Sequence, residues 1–292
     1  MNRTHFQKFQ MVQNLLLQSP PGELEYVCRD LREIVKDDEL VAAAAVDVFE
    51  KQNEEQMVTV RVKDSNTRYM LSRAGRIGAC TYLDPKTETV ITVDHPSKTV
   101  TGRRPAVGGE LPPAEHADLR KAVERAMEPY MREAYPEGMF AVYGGKELAE
   151  GVSGLIVCIS SATLRARNFV AGRWVSEWRV ALRPEPDFAA HMCGDMKARV
   201  HYFEDGNVHL RTSYSGSAEV VGEDCESLAL AIVQAISGGE ALFLKDLEDC
   251  FQIASQRATK DMRRGLPRTG MKFPWSSRVL QLHDELKQSQ TK

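Results

Sequence analysis

At the start of the chain, apolar residues recur at steps of three and four. Phe6, Phe9 and Leu16 make one stripe, Leu24, Val27, Cys28, Leu31 and Ile34 a second, and Leu40, Ala43, Ala44 and Val48 a third. That spacing predicts amphipathic helices with one face turned to a core. Ser19-Pro20-Pro21-Gly22-Glu23 separates the first two and Lys36-Asp37-Asp38 the next. Links this short favour antiparallel neighbours, so residues 1–55 are expected to form a three-helix stalk.

From Met57 the period drops to two. Val58, Val60 and Val62 alternate with Thr59, Arg61 and Lys63, and short alternating runs follow near 68–72, 77–82 and 88–94, as expected of strands with one covered face. Gly102 to Glu115, holding Pro105, Pro112 and Pro113, reads as loop, and a helix is expected around 114–134. Stronger strands are predicted at 139–144, 153–160, 173–183, 195–204 and 207–213. In the third of these Trp174, Trp178, Val180 and Leu182 share one face and Glu177 and Arg179 the other, which implies a sheet covered on one side. The Asp205-Gly206 pair marks a tight hairpin, and strands joined in this way form an antiparallel meander rather than a parallel nucleotide-binding sheet. Together these runs make residues 56–220 a sheet region.

Beyond Gly222 the helical period returns through Leu228, Ile232, Ala235, Leu242, Leu247, Phe251, Ala254 and Ala258, predicting one long helix over 221–265, weakened at Gly238-Gly239 by about 1 kcal/mol per glycine. Gly265-Leu266-Pro267 ends it. In the remaining segment, 266–292, Trp275, Val279, Leu282 and Leu286 advance by four, three and four, the pattern of a short amphipathic tail. A helix of about a dozen residues is too short to stand alone in water, so it must dock on something.

The 292 residues are 42% hydrophobic and 27% charged, a globular composition that excludes disordered and collagen-like classes. No uninterrupted apolar run is long enough for a bilayer and the N-terminus has no apolar leader, so a cytoplasmic protein without a transmembrane segment is expected. The six cysteines lie far apart without a C-x-x-C, which leaves no zinc knuckle or dithiol motif and favours buried free thiols. The net charge of −3 is unevenly spread: residues 251–292 hold nine Lys/Arg against three Asp/Glu, a net of +6, on a body of −9. Arg257, Lys260, Arg263, Arg264, Arg268 and Lys272 put six cations into a short stretch, more than the negative end of a helix attracts. An acidic protein surface is the expected partner. Nucleic acid is not, because no aromatic residues are interleaved for base stacking.

Catalytic signatures are absent from the sequence: the chain has no G-x-G-x-x-G, Walker A, H-E-x-x-H or G-x-S-x-G, and no enzyme or cofactor is expected. His201 and His209 flank the predicted hairpin. With a two-residue loop, His201 lies opposite Leu210 and Tyr202 opposite His209, so the imidazoles leave opposite faces and hold no metal.

Several stretches resemble the α subunit of F-actin capping protein: Pro20-Pro21-Gly22-Glu23, Tyr82-Leu83-Asp84-Pro85, Arg167-Asn168-Phe169, Gly172-Arg173-Trp174 with Ser176-Glu177-Trp178, Val200 to Val208, and Met262 to Pro267 with Trp275. They occur in the family's order over almost the whole chain. The resemblance implies an α+β fold with an N-terminal helical stalk, an antiparallel sheet completed by a partner subunit, a long C-terminal helix packed on that sheet, and an actin-binding tail. It also implies an obligate heterodimer with a capping protein β subunit, binding at the barbed end of the actin filament, a cytoskeletal location, and phosphoinositides and capping regulators as further partners. Lys260 and Arg264 match basic positions the family uses on actin. A further family arginine falls on Gly270, with Arg268 two residues before it, which keeps open a structural subunit capping an actin-related filament in a dynactin-like assembly.

Overall fold

The computed structural model describes residues 3–63, 65–111, 116–149, 152–183, 188–203 and 208–253. Helices α1 (Arg3–Leu17), α2 (Leu24–Val35) and α3 (Asp38–Glu55) form the stalk around Val12, Leu16, Leu24, Leu31, Val41, Ala44, Val48 and Phe49. Each link has its own device. Gly22 takes the left-handed conformation after the two prolines, and Asp37 caps α3 by accepting from the Leu40 amide at 3.0 Å. Three stripe positions differ from expectation: Phe6 is 48% and Ile34 74% exposed, and Ala43 also faces out. The covered face of α3 is rotated toward Val41 and Ala45 because α1 and α2 both pack against it.

The sheet region is two sheets rather than one. Strands β1 (Thr59–Arg61), β2 (Arg68–Met70), β3 (Arg76–Gly78), β4 (Thr81–Asp84), β5 (Thr89–Asp94) and β6 (Thr99–Pro105) assemble in the order β2-β1-β6-β5-β4-β3. The β1–β6 pair is parallel and the others are antiparallel. Gly102 to Pro105, expected to be loop, belong to β6: Thr89 lies opposite Pro105 at its end, a strand-end position where proline loses no ladder donor.

After α4 (Ala117–Ala134), the larger sheet is a five-stranded antiparallel meander of β7 (Met139–Ala149), β8 (Val152–Arg165), β9 (Val170–Leu182), β10 (Ala189–Tyr202) and β11 (Val208–Val221), in sequence order across the sheet. Its strands outrun their predicted lengths because the partly exposed ends alternate weakly while the ladder of backbone hydrogen bonds continues. One face, with Trp174, Trp178, Val180, Met192, Met196 and Ala198, carries the main core under α4 and α5 (Cys225–Ile253). The opposite face is covered too. Val175 and Cys158 pack there against Met57, Met70, Ala74 and Tyr143, so this face is open around Arg179, His191, Asp195 and Glu219.

By length and composition a stretch within Cys225–Asp249 of α5 is apolar enough to cross a bilayer, contrary to the reading from run lengths. It lies on the sheet instead, burying Leu228, Ala229, Ile232, Ile236, Phe243 and Leu247.

Candidate functional site

The residues expected to carry the partner contact, Arg257, Lys260, Arg263, Arg264, Arg268, Lys272, Trp275, Val279, Leu282 and Leu286, lie outside the described residues, as does the rest of the predicted long helix beyond Ile253. What the structure places is the platform from which they leave. Glu240, fully buried midway along α5, accepts hydrogen bonds from Ser176 Oγ (2.5 Å), Tyr135 Oη (2.6 Å) and the Tyr130 hydroxyl. One carboxylate thereby ties α5 to β9 and α4, and its charge is met by three donors rather than left in an apolar medium. A turn further on, Phe243 packs on Trp174 with ring centroids 5.1 Å apart.

A second set of contacts joins the stalk to both sheets. Asn53 Nδ2 donates to the backbone carbonyl of His95 (2.9 Å) and to its Nδ1 (3.3 Å), which leaves the proton of a neutral ring on Nε2, facing Tyr82 Oη at 3.2 Å. Tyr82 in turn donates to Glu54 Oε1 at 2.8 Å, and Arg76 donates to the same oxygen at 3.1 Å. Burial holds His95 below its ordinary pKa, although Glu50 and Glu54 pull the other way. On the larger sheet, Arg173 Nη1 and Ser160 Oγ both reach the Gln56 carbonyl, Arg211 donates to the Gln18 carbonyl, and His201 Nδ1 donates to Glu23 Oε1 at 2.5 Å.

His201 lies opposite His209, and their rings stack at 4.3 Å. This corrects the expected register. Tyr202 pairs with Val208, so the connection is longer than Asp205-Gly206, and a one-residue shift moves His209 to the other face. Burial, and then the neighbouring His201 and Arg211, lower the His209 pKa. The pair still makes no metal centre: among the described residues no three His, Cys, Asp or Glu side chains converge as a ligand set.

The thiols also depart from expectation. Cys28 and Cys158 are buried, but Cys80, Cys193 and Cys225 are partly exposed and Cys250 has no described side chain. Cys193 Sγ sits 3.3 Å from His191 Nε2, and His191 Nδ1 donates to Glu219 Oε1 at 2.8 Å. The order of groups is that of a thiol nucleophile, base and orienting acid. His191 and Glu219 are each about half exposed on the open face of the sheet, so a substrate there would stay in water.

The two edges of the larger sheet are unlike. β7 is broken by irregularities between Tyr143 and Lys146 and between Glu147 and Ala149, which discourage a further strand. β11 pairs with β10 without a slip from Val208 to Val221, and among the described residues nothing pairs with its other side.

The family model for the F-actin capping protein alpha subunit matches residues 12–284, from the first helix through most of the tail. The chain belongs to that family. A capping protein subunit alpha from Dictyostelium discoideum is 34% identical over 266 residues, covering 91% of this chain and 92% of that protein. The Arabidopsis thaliana subunit is 32% identical over 276 residues, covering 93% and 89%. The solved structure of a homodimeric actin capping protein alpha subunit from Plasmodium berghei has the same fold, with a TM-score of 0.71 over 89% of this chain and 96% of that one, at 22% identity.

Within a capping protein alpha fold, the stretches that carry the resemblance are joints rather than surface. Glu23 meets His201, Tyr82 receives His95 and serves Glu54, Arg173 seats the end of the stalk, and Trp174 and Trp178 line the floor under α5. The family here is a structural, filament-binding one, in keeping with the missing catalytic signatures. Sequence reasoning missed the in-register arginines Arg173, Arg199 and Arg211 on β9, β10 and β11. Strand parity puts each on a face, but only the register makes them neighbours.

Proposed function

We propose that this chain is the α half of a two-chain cap that binds the barbed end of actin filaments and blocks gain and loss of subunits there. The observation that carries it is the reach of the family match, which includes the basic cluster and the tail through Leu282. Its parts are the units read from the sequence: stalk 1–55, sheet region 56–220, long helix 221–265 and actin-binding tail 266–292. The cations Arg257, Lys260, Arg263, Arg264, Arg268 and Lys272 draw the cap to carboxylates on the terminal actin subunits and speed encounter. Trp275, Val279, Leu282 and Leu286 then bury against a subunit, at about 1.5–3 kcal/mol for each fully buried side chain before ordering costs, and slow release.

A capping protein β subunit adds its strands to the β11 edge and completes the sheet. Support comes from the singly paired β11, in register with β10 along its whole length, and from apolar residues left exposed on the helices: Leu230 and Leu242 on α5, and Met11 and Leu15 one turn apart on α1. The cap works in the cytoplasm, on the cytoskeleton, and its basic surface is where phosphoinositides and protein regulators compete with actin.

Seeded pyrene-actin elongation with the co-expressed pair tests the reading, and unchanged barbed-end growth in excess folded complex overturns it. Lys260→Ala with Arg264→Ala should weaken capping while the complex stays intact on gel filtration. Unchanged affinity in that variant removes the basic stripe from the mechanism.

A further inference from the structure

Arg173, Arg199 and Arg211 stand side by side across three strands on the face turned toward the stalk. Like charges directly opposite one another destabilise a sheet, so such a row calls for a compensating charge. Arg211 has the Gln18 carbonyl. Arg199 feels Glu55 from α3, yet burial and Arg211 still lower its pKa. Arg173 is the extreme case. It is 9% exposed, its Nη1 reaches only the Gln56 carbonyl (2.7 Å) and Ser160 Oγ (3.3 Å), and its Nε has no acceptor among the described residues. Burial, and then Arg199, bring its pKa down to about 10. A buried cation without a counter-charge carries a large desolvation cost, which a bound anion offsets.

The surroundings of Arg173 repeat the theme. β1 and β2 bring Arg61 and Arg68 directly opposite each other, and both line the same cleft as Arg173, about 390 Å³ in volume, with the hydroxyl-bearing Thr59, Ser160 and Ser161 beside them. Among the described residues none of Arg61, Arg68 and Arg173 is ion-paired. Glu137 also lines the cleft, and Arg68 Nη1 contacts its backbone carbonyl at 3.4 Å. Three guanidinium groups thus share one small cleft in which Glu137 is the single carboxylate among the lining residues, so positive charge is in excess, and guanidinium forks match the oxygens of a phosphate.

We propose that this cleft binds a phosphate-type oxyanion, free or as the phosphoryl group of a small phosphomonoester, with Arg173 as the floor and Arg61 and Arg68 as the rim. The volume leaves room beyond the anion itself, so a phosphomonoester can enter head first. The site lies on the stalk side of the sheet, uses none of the tail cations, and stands whether or not the capping reading does.

The test is thermal unfolding of the purified full chain, with its copurifying partner, as chloride is replaced by phosphate or glycerol phosphate at fixed ionic strength, alongside calorimetric titration with the same two probes. A saturable rise in the midpoint of about 2–4 °C is expected. A rise with glycerol phosphate exceeding that with inorganic phosphate identifies the phosphomonoester as the ligand, and equal rises identify the free anion. Arg173→Met keeps an unbranched, flexible stem and removes the guanidinium charge, so it should fold and lose the rise. Should it fail to fold, Arg61→Ala with Arg68→Ala on the exposed hairpin carries the same expectation. The tail cations remain in every variant, so phosphate bound by them leaves the rise intact. An equal rise in wild type and variants, or no saturable rise at all, overturns the proposal.

Discussion

Adjacent glycines in the middle of α5 should respond in opposite directions to the same substitution. Gly238 is exposed, and a Cβ built on it meets nothing within 4 Å. Gly238→Ala should therefore stabilise the protein by about 1 kcal/mol, the helix preference of alanine over glycine. A Cβ on Gly239 would lie 2.5 Å from Trp178 Cη2 and 3.1 Å from its Cζ2. The ring cannot retreat. Its other side rests on Gly194 of β10, where a Cβ would come within 2.4 Å of Trp178 Cε3, so the indole fills a slot between two glycines and is 1% exposed. Overpacking of this kind costs roughly 1–3 kcal/mol, and with no room on either side the upper end applies. After the propensity gain, Gly239→Ala should lose about 1–2 kcal/mol, leaving roughly 2–3 kcal/mol between the two variants. Urea denaturation followed by tryptophan fluorescence reads this directly, since Trp178 reports on the slot itself. If both variants shift the midpoint the same way by similar amounts, the slot does not explain the glycine pair.

Other expectations test other joints. Glu240→Gln keeps the volume but replaces an acceptor oxygen with a donor amide facing buried hydroxyls, so a loss of about 1–3 kcal/mol is expected in the same denaturation assay; a change under about 0.5 kcal/mol would mean that water serves those hydroxyls equally well. Tyr82→Phe removes the hydroxyl between His95 and Glu54 and should cost about 1–2 kcal/mol, with Arg76 remaining on Glu54 to limit the damage. The His95 pKa lies below its ordinary value of 6.5, so as pH falls through that value the unfolded chain takes up a proton that the native state refuses. Stability contributed by the neutral ring is thus complete above that value and is lost as pH falls toward the native pKa. Denaturation midpoints measured from pH 7.5 to 5.5, a span of about two units around the ordinary histidine range, should fall more steeply in the wild type than in His95→Gln, and equal slopes would exclude His95 as a source of the pH dependence.

The local order of the chain was legible because it depends on neighbours in sequence. The three- and four-residue steps of the stalk, the alternation through β9 and the long apolar period of α5 each report a face, and a face is a property of one element. The Asp205-Gly206 reading shows the limit: alternation was right on both strands, but the register depended on how many residues span the turn, and one residue changed two distant imidazoles into a stacked pair. Likewise Gly102 to Pro105 looked like loop from composition, while its partner Thr89 to Thr92 makes it strand. The candidate site divides in the same way. Its basic and apolar tail positions could be read as a charge run and a helical stripe, but a cleft built from Arg61, Arg68 and Arg173 brings together residues remote in sequence.

By itself the sequence determined the kinds and order of elements, the family to which they belong, and the concentration of positive charge at one end, since period, motif and composition are all written along the chain. Tertiary structure alone decided which faces meet. It divided the strands into two sheets, folded α5 over Trp178 through the absent side chains of Gly194 and Gly239, buried Glu240 among three hydroxyls, and lined up Arg173 with Arg199 and Arg211. The physical reason is that strand register, close packing and the burial of charge are set by distances across the fold, and a one-residue shift or a single methyl group changes them without altering any local pattern.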